Sequence, residues 1–339
     1  MNRFAKMGSI WLIAILIIVM AGCGKTENSN AGEPSGASAA AQSQEPSAST
    51  SAAAVSAGDT AKTAYPLTLK DAGGTEVTFD AAPQRIISIA PSETETLFAI
   101  GLDDQIVGVT ENDDYPEEAK SKPKMGGYEL NTEAIVAAKP DVVFAAGITS
   151  ADTIKGLRDL GIKVFQFNPK TVEAVIDDIK QYGQITDHQA EAKQVTDKME
   201  FELAQVTDAV QTISEDQKKK VYIEFSPGWT VGKGEFMDEL ITLSGGVNIA
   251  GDTTGWNEIN EENIIKSNPD VILYAASVVD EKNQTLDQVI KSRAGWDQIT
   301  AVKEGRVVGL DDNLLSRTGP RITEGLLQVA KAIYPDLFK

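Results

Sequence analysis

Cysteine and histidine are almost absent from this chain of 339 residues, which contains one of each, Cys23 and His188. A single cysteine cannot form an intramolecular disulfide bond, and a bare zinc or copper site lacks its usual ligands. A haem held by an axial histidine is disfavoured on the same count. His188 begins a predicted helix, where a solvated side chain is typical. We therefore expect no metal site and no resident cofactor.

Catalytic motifs are missing as well. The chain has no Gly-x-Ser-x-Gly elbow and no P-loop, and 232–234 (Gly-Lys-Gly) is too short for a phosphate loop. We expect no enzyme, although a surface enzyme with a polar catalytic cluster is the alternative of a different class. The net charge of -19 argues against nucleic acid or an anionic membrane surface as a partner. Solubility alone would explain this acidity equally well.

The one long apolar run lies near the N-terminus. Arg3 and Lys6 precede 11 apolar residues, Ile10 to Met20. This run is too short for a hydrocarbon core of ~30 Å, which needs about 20 helical residues, so residues 1–22 are predicted to be a signal peptide. The small residues before Cys23 resemble a bacterial lipobox, in which the cysteine carries lipid. The alternative is an ordinary secreted protein with a chance cysteine.

Residues 23–64 are predicted to form a lipidated, disordered tether. From Gly24 to Ala64 the chain is mainly Ala, Ser, Gly, Glu, Gln and Pro, with Val55 as its one large aliphatic residue. Such a composition cannot bury a core large enough to offset the entropy lost on ordering. A flexible tether of this kind has a reach of roughly 35 Å, which is enough to hold a domain off a membrane.

An internal duplication organises the rest of the chain. Residues 130–144 and 259–273 match without a gap, 129 positions apart. Each copy predicts a short helix capped by Asn131 or Asn260, a Pro-Asp turn and a buried strand. Because strands alternate with helices elsewhere too, we expect two parallel α/β lobes.

A stretch without glycine or proline separates the two copies. From His188 to Ile213 it predicts one helix of ~25 residues, about 38 Å long. The predicted organisation is an N-terminal lobe at 65–185, a connecting helix at 186–215 and a C-terminal lobe at 216–339. A single long helix between two lobes would restrain hinge bending.

The order of these segments, with several local motifs, resembles the substrate-binding proteins of bacterial iron-complex and cobalamin importers. The motifs are 85–92 (RIISIAPS) running into 93–95 (ETE), 114–116 (DYP), both duplicated segments, and 319–321 (GPR). The resemblance covers roughly Tyr65 to Phe338. It implies a ligand cleft between the lobes and delivery of a small ligand to the permease dimer of an ABC transporter. The nearest members bind cobalamin, and ferric siderophore binders are the alternative; the ligand would itself bring any cobalt or iron. Asn112 departs from the pattern, since cobalamin binders can present an aromatic residue in that loop.

Two glutamates take a role from this resemblance. Glu133 and Glu262 occupy the same place in the two copies, and in the family one glutamate per lobe pairs with arginines of the permease. A matched pair of negative charges suits a two-fold symmetric partner. Alternatively, each glutamate only favours its helix N-terminus through the dipole, worth ~0.3 to 1 kcal/mol.

The candidate ligand contacts are loop residues. Tyr128, Trp229 and Trp256 are aromatic, and matching family loops line the cleft with flat faces that would cover a corrin or metal chelate. Each could instead pin its loop to its own lobe. Asp312 and Arg317 follow a predicted strand and would meet ligand amides or carboxylates; a salt-bridged loop is their alternative role.

Overall fold

A computed structural model of the chain describes residues 62–338, so the predictions for the signal peptide, Cys23 and the tether up to residue 61 lie outside the described residues. The described residues belong to one compact unit. The strands are β1 (Leu67–Lys70), β2 (Glu76–Phe79), β3 (Ile86–Ser88), β4 (Ile106–Gly108), β5 (Val142–Ala145), β6 (Val164–Gln166), β7 (Lys220–Glu224), β8 (Trp229–Val231), β9 (Val247–Asn248), β10 (Trp256–Glu258), β11 (Val271–Ala275) and β12 (Val307–Leu310). The α-helices are α1 (Pro91–Ala99), α2 (Thr132–Ala138), α3 (Ala151–Asp159), α4 (Val172–Thr186), α5 (Gln189–Val210), α6 (Phe236–Leu243), α7 (Glu261–Ser267), α8 (Leu286–Ser292), α9 (Thr300–Lys303), α10 (Asp312–Ser316) and α11 (Ile322–Ile333).

Two parallel four-stranded sheets form the frame of the described region. The strand order is β4-β3-β5-β6 in the N-lobe and β12-β11-β7-β9 in the C-lobe, and every pair of neighbours is parallel. The remaining strands form two antiparallel ribbons, β1 with β2 and β8 with β10. The central strands β5 and β11 are apolar along their length, as expected for strands covered on both faces. The predicted fold class of two parallel α/β lobes is confirmed.

The two copies of the duplicated segment begin in the same way. The side chain of Asn131 accepts a 3.0 Å hydrogen bond from the backbone N–H of Ala134, and Asn260 accepts an equivalent 3.0 Å bond from Asn263. Each asparagine therefore satisfies a free donor of the first turn and starts its helix, as the sequence predicts.

The copies also end alike. Helix α2 stops at Lys139 and α7 at Asn268, both with left-handed backbone. Two positions later an aspartate binds the backbone beside a neighbouring strand. Asp141 accepts a 2.8 Å hydrogen bond from the backbone N–H of Arg85, and Asp270 accepts one of 2.8 Å from that of Lys220. The Pro-Asp turns thus hold adjacent strands in register in both lobes.

The stretch between the copies contains α5, 22 residues long and about 33 Å at 1.5 Å per residue. It packs against α4 and α11, which places it across both lobes as the connecting helix. It ends at Val210, three residues before the predicted end, and Ser214 and Gln217 then form a capping box that starts the next turn.

The largest hydrophobic core runs through both lobes. Alternate residues of β5 divide between two clusters, with Phe144 in the shared core and Val143 in a second cluster under α2 and α3. In the C-lobe Leu273 joins the shared core, whereas Ile272 belongs to a third cluster with α7 and α8. Each buried aliphatic side chain contributes ~1.5–3 kcal/mol, so the joined core resists separation of the lobes. Among the described residues, no helix is long and apolar enough to cross a membrane.

Candidate functional site

A cleft of about 780 Å³ lies between the lobes at the carboxyl ends of their parallel strands. The N-lobe wall consists of residues that follow β3, β5 and β6, and the C-lobe wall of residues that follow β7 and β12, together with the start of α6. The crevice beyond the carboxyl ends of parallel strands is where ligands bind in open α/β sheets. Its volume falls within the range of small-molecule sites.

Two tryptophans face this cleft from one β-ribbon. In the antiparallel pair of β8 and β10, Trp229 lies opposite Glu258 and Trp256 lies opposite Val231. Side chains two positions apart on a strand share a face, so both tryptophans project from the same side of the ribbon. Both line the cleft, and each is 40 % exposed.

Trp256 is held in place by aromatic neighbours. Its ring meets Phe225 edge to face at 4.9 Å between centroids and Phe236 at 5.8 Å. Such pairs contribute about 0.5–1.5 kcal/mol beyond the area they bury. Because Phe225 and Phe236 also line the cleft, the C-lobe wall presents a continuous aromatic surface.

A buried carboxylate anchors the turn that carries Trp229. Glu224 accepts a 2.9 Å hydrogen bond from the backbone N–H of Gly228, and the guanidinium of Arg293 donates to its two oxygens at 2.6 and 2.7 Å. Gly228 adopts a φ of 78°, a conformation that favours glycine. Burial and the adjacent Glu224 raise the pKa of Tyr222 well above its usual range, so its hydroxyl stays protonated and donates to Glu224 at 2.9 Å.

The N-lobe wall is built by a close approach of two loops. A Cβ atom on Gly147 would lie 1.9 Å from Oδ1 of Asn168, so any other residue there would displace the Asn168 side chain. Ile148 then projects from the next position and is largely exposed to the cleft. This wall therefore offers both an amide and an aliphatic side chain to a ligand.

A charged cluster joins the lobes beside the cleft, which it reaches through Arg317; we call Glu95, Asp114, Tyr115, Arg317 and Arg321 the Glu95 cluster. Glu95, Tyr115 and Arg321 line a separate pocket of about 330 Å³. Arg317 donates to Oε1 of Glu95 at 2.8 Å, and Arg321 donates to both oxygens at 2.8 and 2.6 Å. Asp114 pairs with Arg317 at 2.8 Å, and the Arg321 guanidinium lies 3.7 Å from the ring centroid of Tyr115. Glu95 is only 2 % exposed, and a buried charge of this kind is costly unless it is paired.

This pairing fixes the charge state of the arginines. Burial opposes the charged form of Arg317, but its hydrogen bonds to Glu95 and Asp114 raise its pKa above the usual range. The same balance between burial and Glu95 raises the pKa of Arg321. Both guanidinium groups are therefore cations, and they donate to Glu95 and, in the case of Arg317, also to Asp114.

Further polar contacts join the lobes beside the cleft. Lys170 and Glu235, which face each other across it, form an ion pair of 2.7 Å. The backbone N–H of Val172, at the start of α4, donates to Glu239 of α6 at 2.5 Å. These contacts fix the width of the opening in this conformation.

The structure brings three of the five sequence-predicted ligand residues into the cleft: Trp229, Trp256 and Arg317. Tyr128 is 99 % exposed and does not line the cleft, because its loop lies outside, ahead of α2. Asp312 is directed elsewhere too, since its Oδ1 accepts from the hydroxyl of Ser277 at 2.5 Å.

Several lining residues were missed from the sequence. They are Ser92, Ile148, Asn168, Phe225, Phe236 and Met237. Most of them follow a strand or begin a helix, so the ends of the predicted strands would have indicated them. Their polar or apolar character alone gave no reason to choose them.

The two duplicated glutamates lie at equivalent surface positions. Glu133 and Glu262 each occupy the second residue of a seven-residue helix, α2 or α7, and both are exposed. Within residues 62–338 neither carboxylate has a hydrogen-bond or ion-pair partner. Each helix leads through a three-residue turn into a parallel strand, so its first turn lies toward the carboxyl edge of the sheet, on the same side as the cleft.

Metal-ligating side chains are not grouped in the described part of the chain: no set of three or more His, Cys, Asp or Glu residues there could hold a metal ion. His188 is half-buried at the start of α5, where its Nδ1 donates to the carbonyl oxygen of Thr186 at 2.8 Å. The ring therefore has a local structural partner.

The fold and the cleft agree with the comparisons to known proteins. A family model described as periplasmic binding protein matches residues 86–314. The chain is 38% identical over 282 residues to YvrC of Bacillus subtilis, an uncharacterized ABC transporter substrate-binding lipoprotein, covering 81% of this chain and 88% of the relative. It is 30% identical over 277 residues to a cobalamin-binding protein of Halobacterium salinarum, covering 80% of this chain and 74% of the relative.

A solved structure gives the same picture. A possible iron-binding, periplasmic solute-binding protein from Staphylococcus epidermidis superposes with a TM-score of 0.65 and 33% identity, covering 74% of this chain and 99% of that one. The chain therefore belongs to the periplasmic binding protein family, and the resemblance drawn from its sequence is confirmed. It is an extracytoplasmic solute-binding protein.

Proposed function

We propose that the chain captures cobalamin or a related corrinoid in the inter-lobe cleft and delivers it to an ABC importer. The observation that carries this proposal is the aromatic C-lobe wall formed by Trp229, Trp256, Phe225 and Phe236. A corrin ring has a broad and partly apolar face that such a wall would cover. Two relatives add support, one named as a cobalamin-binding protein and one as an ABC transporter substrate-binding lipoprotein.

The polar groups of the cleft suit the periphery of a corrinoid. Asn168 and Asn313 provide amides on opposite walls, and Ser226 and Ser316 provide hydroxyls. These neutral groups can donate to and accept from the amide side chains that surround a corrin ring. The sole histidine of the chain begins α5, so we expect the corrinoid to bind without an axial protein ligand. We expect no resident cofactor and no catalysis.

A ferric siderophore is the second candidate. The Staphylococcus epidermidis structure is described as possibly iron-binding, and Lys170 and Arg317 line the cleft as potential partners for anionic oxygens. Both cations, however, are already paired with carboxylates, at 2.7 Å for Lys170 and 2.8 Å for Arg317. A siderophore that used them would have to displace Glu235 or Glu95.

Titration of the purified full chain with cyanocobalamin and with ferric siderophores, followed by tryptophan fluorescence, tests the ligand. We expect cyanocobalamin to quench the fluorescence, with Trp256→Ala weakening binding and Trp256→Phe retaining most of it. Phe201→Ala, which removes an exposed aromatic of α5 outside the cleft, is the control. Binding of a siderophore without any binding of cyanocobalamin would reverse the order of the two candidates.

We further propose that Glu133 and Glu262 dock the chain onto the permease dimer. Their equivalent places in the duplication, their exposure and their lack of partners in the described residues support this role. Loss of one charge from an interfacial pair can cost ~2 to 5 kcal/mol. The cleft contains neither residue, so ligand affinity should not change.

The double variant Glu133→Ala with Glu262→Ala should therefore abolish stimulation of the importer's ATPase and leave ligand affinity nearly unchanged. Each single variant should weaken docking partially, and reversal to Lys should weaken it more through repulsion. Glu118→Ala, which removes another exposed carboxylate, should dock normally. Normal docking by the double variant would leave only the helix-dipole role for the two glutamates.

A further inference from the structure

The charged side chains that line the cleft are all neutralised by neighbours. Among the described residues they are Lys170, Glu235 and Arg317. Lys170 and Glu235 pair with each other at 2.7 Å. Arg317 pairs with Glu95 of the N-lobe and with Asp114, each at 2.8 Å.

The Glu95 cluster as a whole carries no net formal charge. Two carboxylates, Glu95 and Asp114, balance two guanidinium groups, Arg317 and Arg321. The balance depends chiefly on Glu95, which is the common partner of both arginines. Without Glu95, Arg321 would keep only its contact with the ring of Tyr115 among the members of the cluster.

We infer that Glu95 is a specificity-determining residue: by neutralising Arg317, which lines the cleft, and Arg321 beside it, it keeps the cleft from attracting anionic chelates and leaves it selective for neutral ligands. This inference rests on the proposed use of the inter-lobe cleft as the ligand site. Its physical basis is negative selection, since a binding site can discriminate by withholding a charge partner as well as by offering one. A cation already saturated by carboxylates can bind an anion only by breaking those pairs.

The principal test is Glu95→Gln, which keeps the shape of the side chain and removes its charge. Three probes are titrated into the full chain at low ionic strength: cyanocobalamin and ferrichrome, which are neutral, and a trianionic ferric tris-catecholate. The wild-type protein should bind the tris-catecholate more weakly than at least one neutral probe. In Glu95→Gln the affinity for the tris-catecholate should rise about tenfold or more, as measured for close charge pairs at interfaces. The affinity for neutral probes should change little.

Two further variants distinguish the local charge of the Glu95 cluster from the net charge of the protein and from a structural role of Glu95. Glu118→Gln makes the same change in net charge at an exposed site that does not line the cleft, and it should not raise the affinity for the tris-catecholate. In Glu95→Gln with Arg321→Gln the cluster is again neutral, so the gained affinity should disappear. A purely structural role for Glu95 would not predict this reversal. The gain should also shrink with added salt, because the screening length is ~10 Å at 0.1 M.

A different variant keeps the inference testable if Glu95→Gln does not fold, as judged by circular dichroism. Arg321→Gln retains the Glu95–Arg317 pair and leaves the cluster with an excess negative charge. It should then favour cationic aquocobalamin over neutral cyanocobalamin more strongly than the wild-type protein does. No change in this ratio would overturn the inference.

The inference also fails if the wild-type protein prefers the tris-catecholate to both neutral probes, or if Glu95→Gln gains no more affinity than Glu118→Gln. These outcomes differ from failure of the corrinoid proposal. If ferrichrome binds and cyanocobalamin does not, the corrinoid is wrong as the ligand, while the preference for a neutral probe supports the role of Glu95.

Discussion

Glu93, in the first turn of α1, provides a sharp test of how burial controls the pH dependence of stability. Its side chain is 4 % exposed, and its hydrogen-bond partner is the hydroxyl of Ser92 at 2.5 Å. Within residues 62–338 no arginine or lysine pairs with it, whereas Glu95, two positions along, pairs with two arginines. Burial first, and then the nearby Asp178 and Asp113, raise the pKa of Glu93 from 4.5 to about 8. Glu93 is therefore protonated in the folded protein at neutral pH.

The magnitude follows from proton linkage. Between pH 4.5 and 8 the folded state holds a proton on Glu93 that the unfolded state has lost, so the free energy of unfolding falls as pH rises. One pKa unit corresponds to 1.36 kcal/mol, so the rise from 4.5 to about 8 amounts to ~5 kcal/mol. The stability that comes from the protonated Glu93 carboxyl is fully present below pH 4.5 and is lost above about pH 8. It is a large share of a typical stability of about 5–15 kcal/mol.

Glu93→Gln removes the titration and nearly preserves the shape. Its free energy of unfolding should exceed that of the wild-type protein by an amount that grows with pH, at ~1.4 kcal/mol per pH unit between pH 5 and 8. Urea unfolding at pH 5, 6, 7, 8 and 9, followed by circular dichroism, measures this difference. The wild-type value must be subtracted from the variant's at each pH, because Asp178 also makes stability depend on pH: burial raises its pKa from 3.8 to about 7.

Glu118→Gln, at an exposed site, is the matched control and should give a difference that does not change with pH. A constant difference between Glu93→Gln and the wild-type protein would refute the reasoning. So would a difference that shrinks as pH rises, because that would mean that Glu93 is ionised in the folded state and stabilised by an unseen cation.

Three further predictions concern the anchor, the C-lobe and helix packing. Cys23→Ala should release the protein from the membrane fraction without changing ligand affinity; a variant retained in membranes would contradict lipidation at this cysteine. Arg293→Met leaves the fully buried Glu224 without its cation and should lower the free energy of unfolding in urea by ~3–5 kcal/mol; a loss under ~1 kcal/mol would contradict a dry, well-formed pair. In thermal unfolding Gly156→Ala should stabilise exposed α3 by up to ~1 kcal/mol, where a Cβ meets nothing. In contrast Gly325→Ala should destabilise α11 by ~1–3 kcal/mol, because its Cβ would lie 2.2 Å from a backbone carbonyl oxygen of α10; equal effects would refute the packing argument.

The sequence by itself determined the local structure and its repetition. Caps such as Asn131 and Asn260 act on backbone groups three residues away, so a short pattern contains the information that fixes the helix start. The apolar strands β5 and β11 and the helical stretch of α5 are likewise periodic features of contiguous chain. The fold class could be predicted for this reason. The segment boundaries and the roles of Cys23, Glu133 and Glu262 stay predictions.

Only the tertiary structure decided what the cleft contains. Glu95 and Arg317 are 222 positions apart in the chain, and no local pattern distinguishes a paired arginine from one that is free to bind a ligand. Tyr128 and Trp256 were both aromatic loop residues in the sequence, yet one lies outside the cleft and the other packs on Phe225 within it. Their different positions follow from how the two lobes pack around the shared core. That packing sums many weak contacts between distant segments, so it cannot be deduced from the periodicity of any one of them.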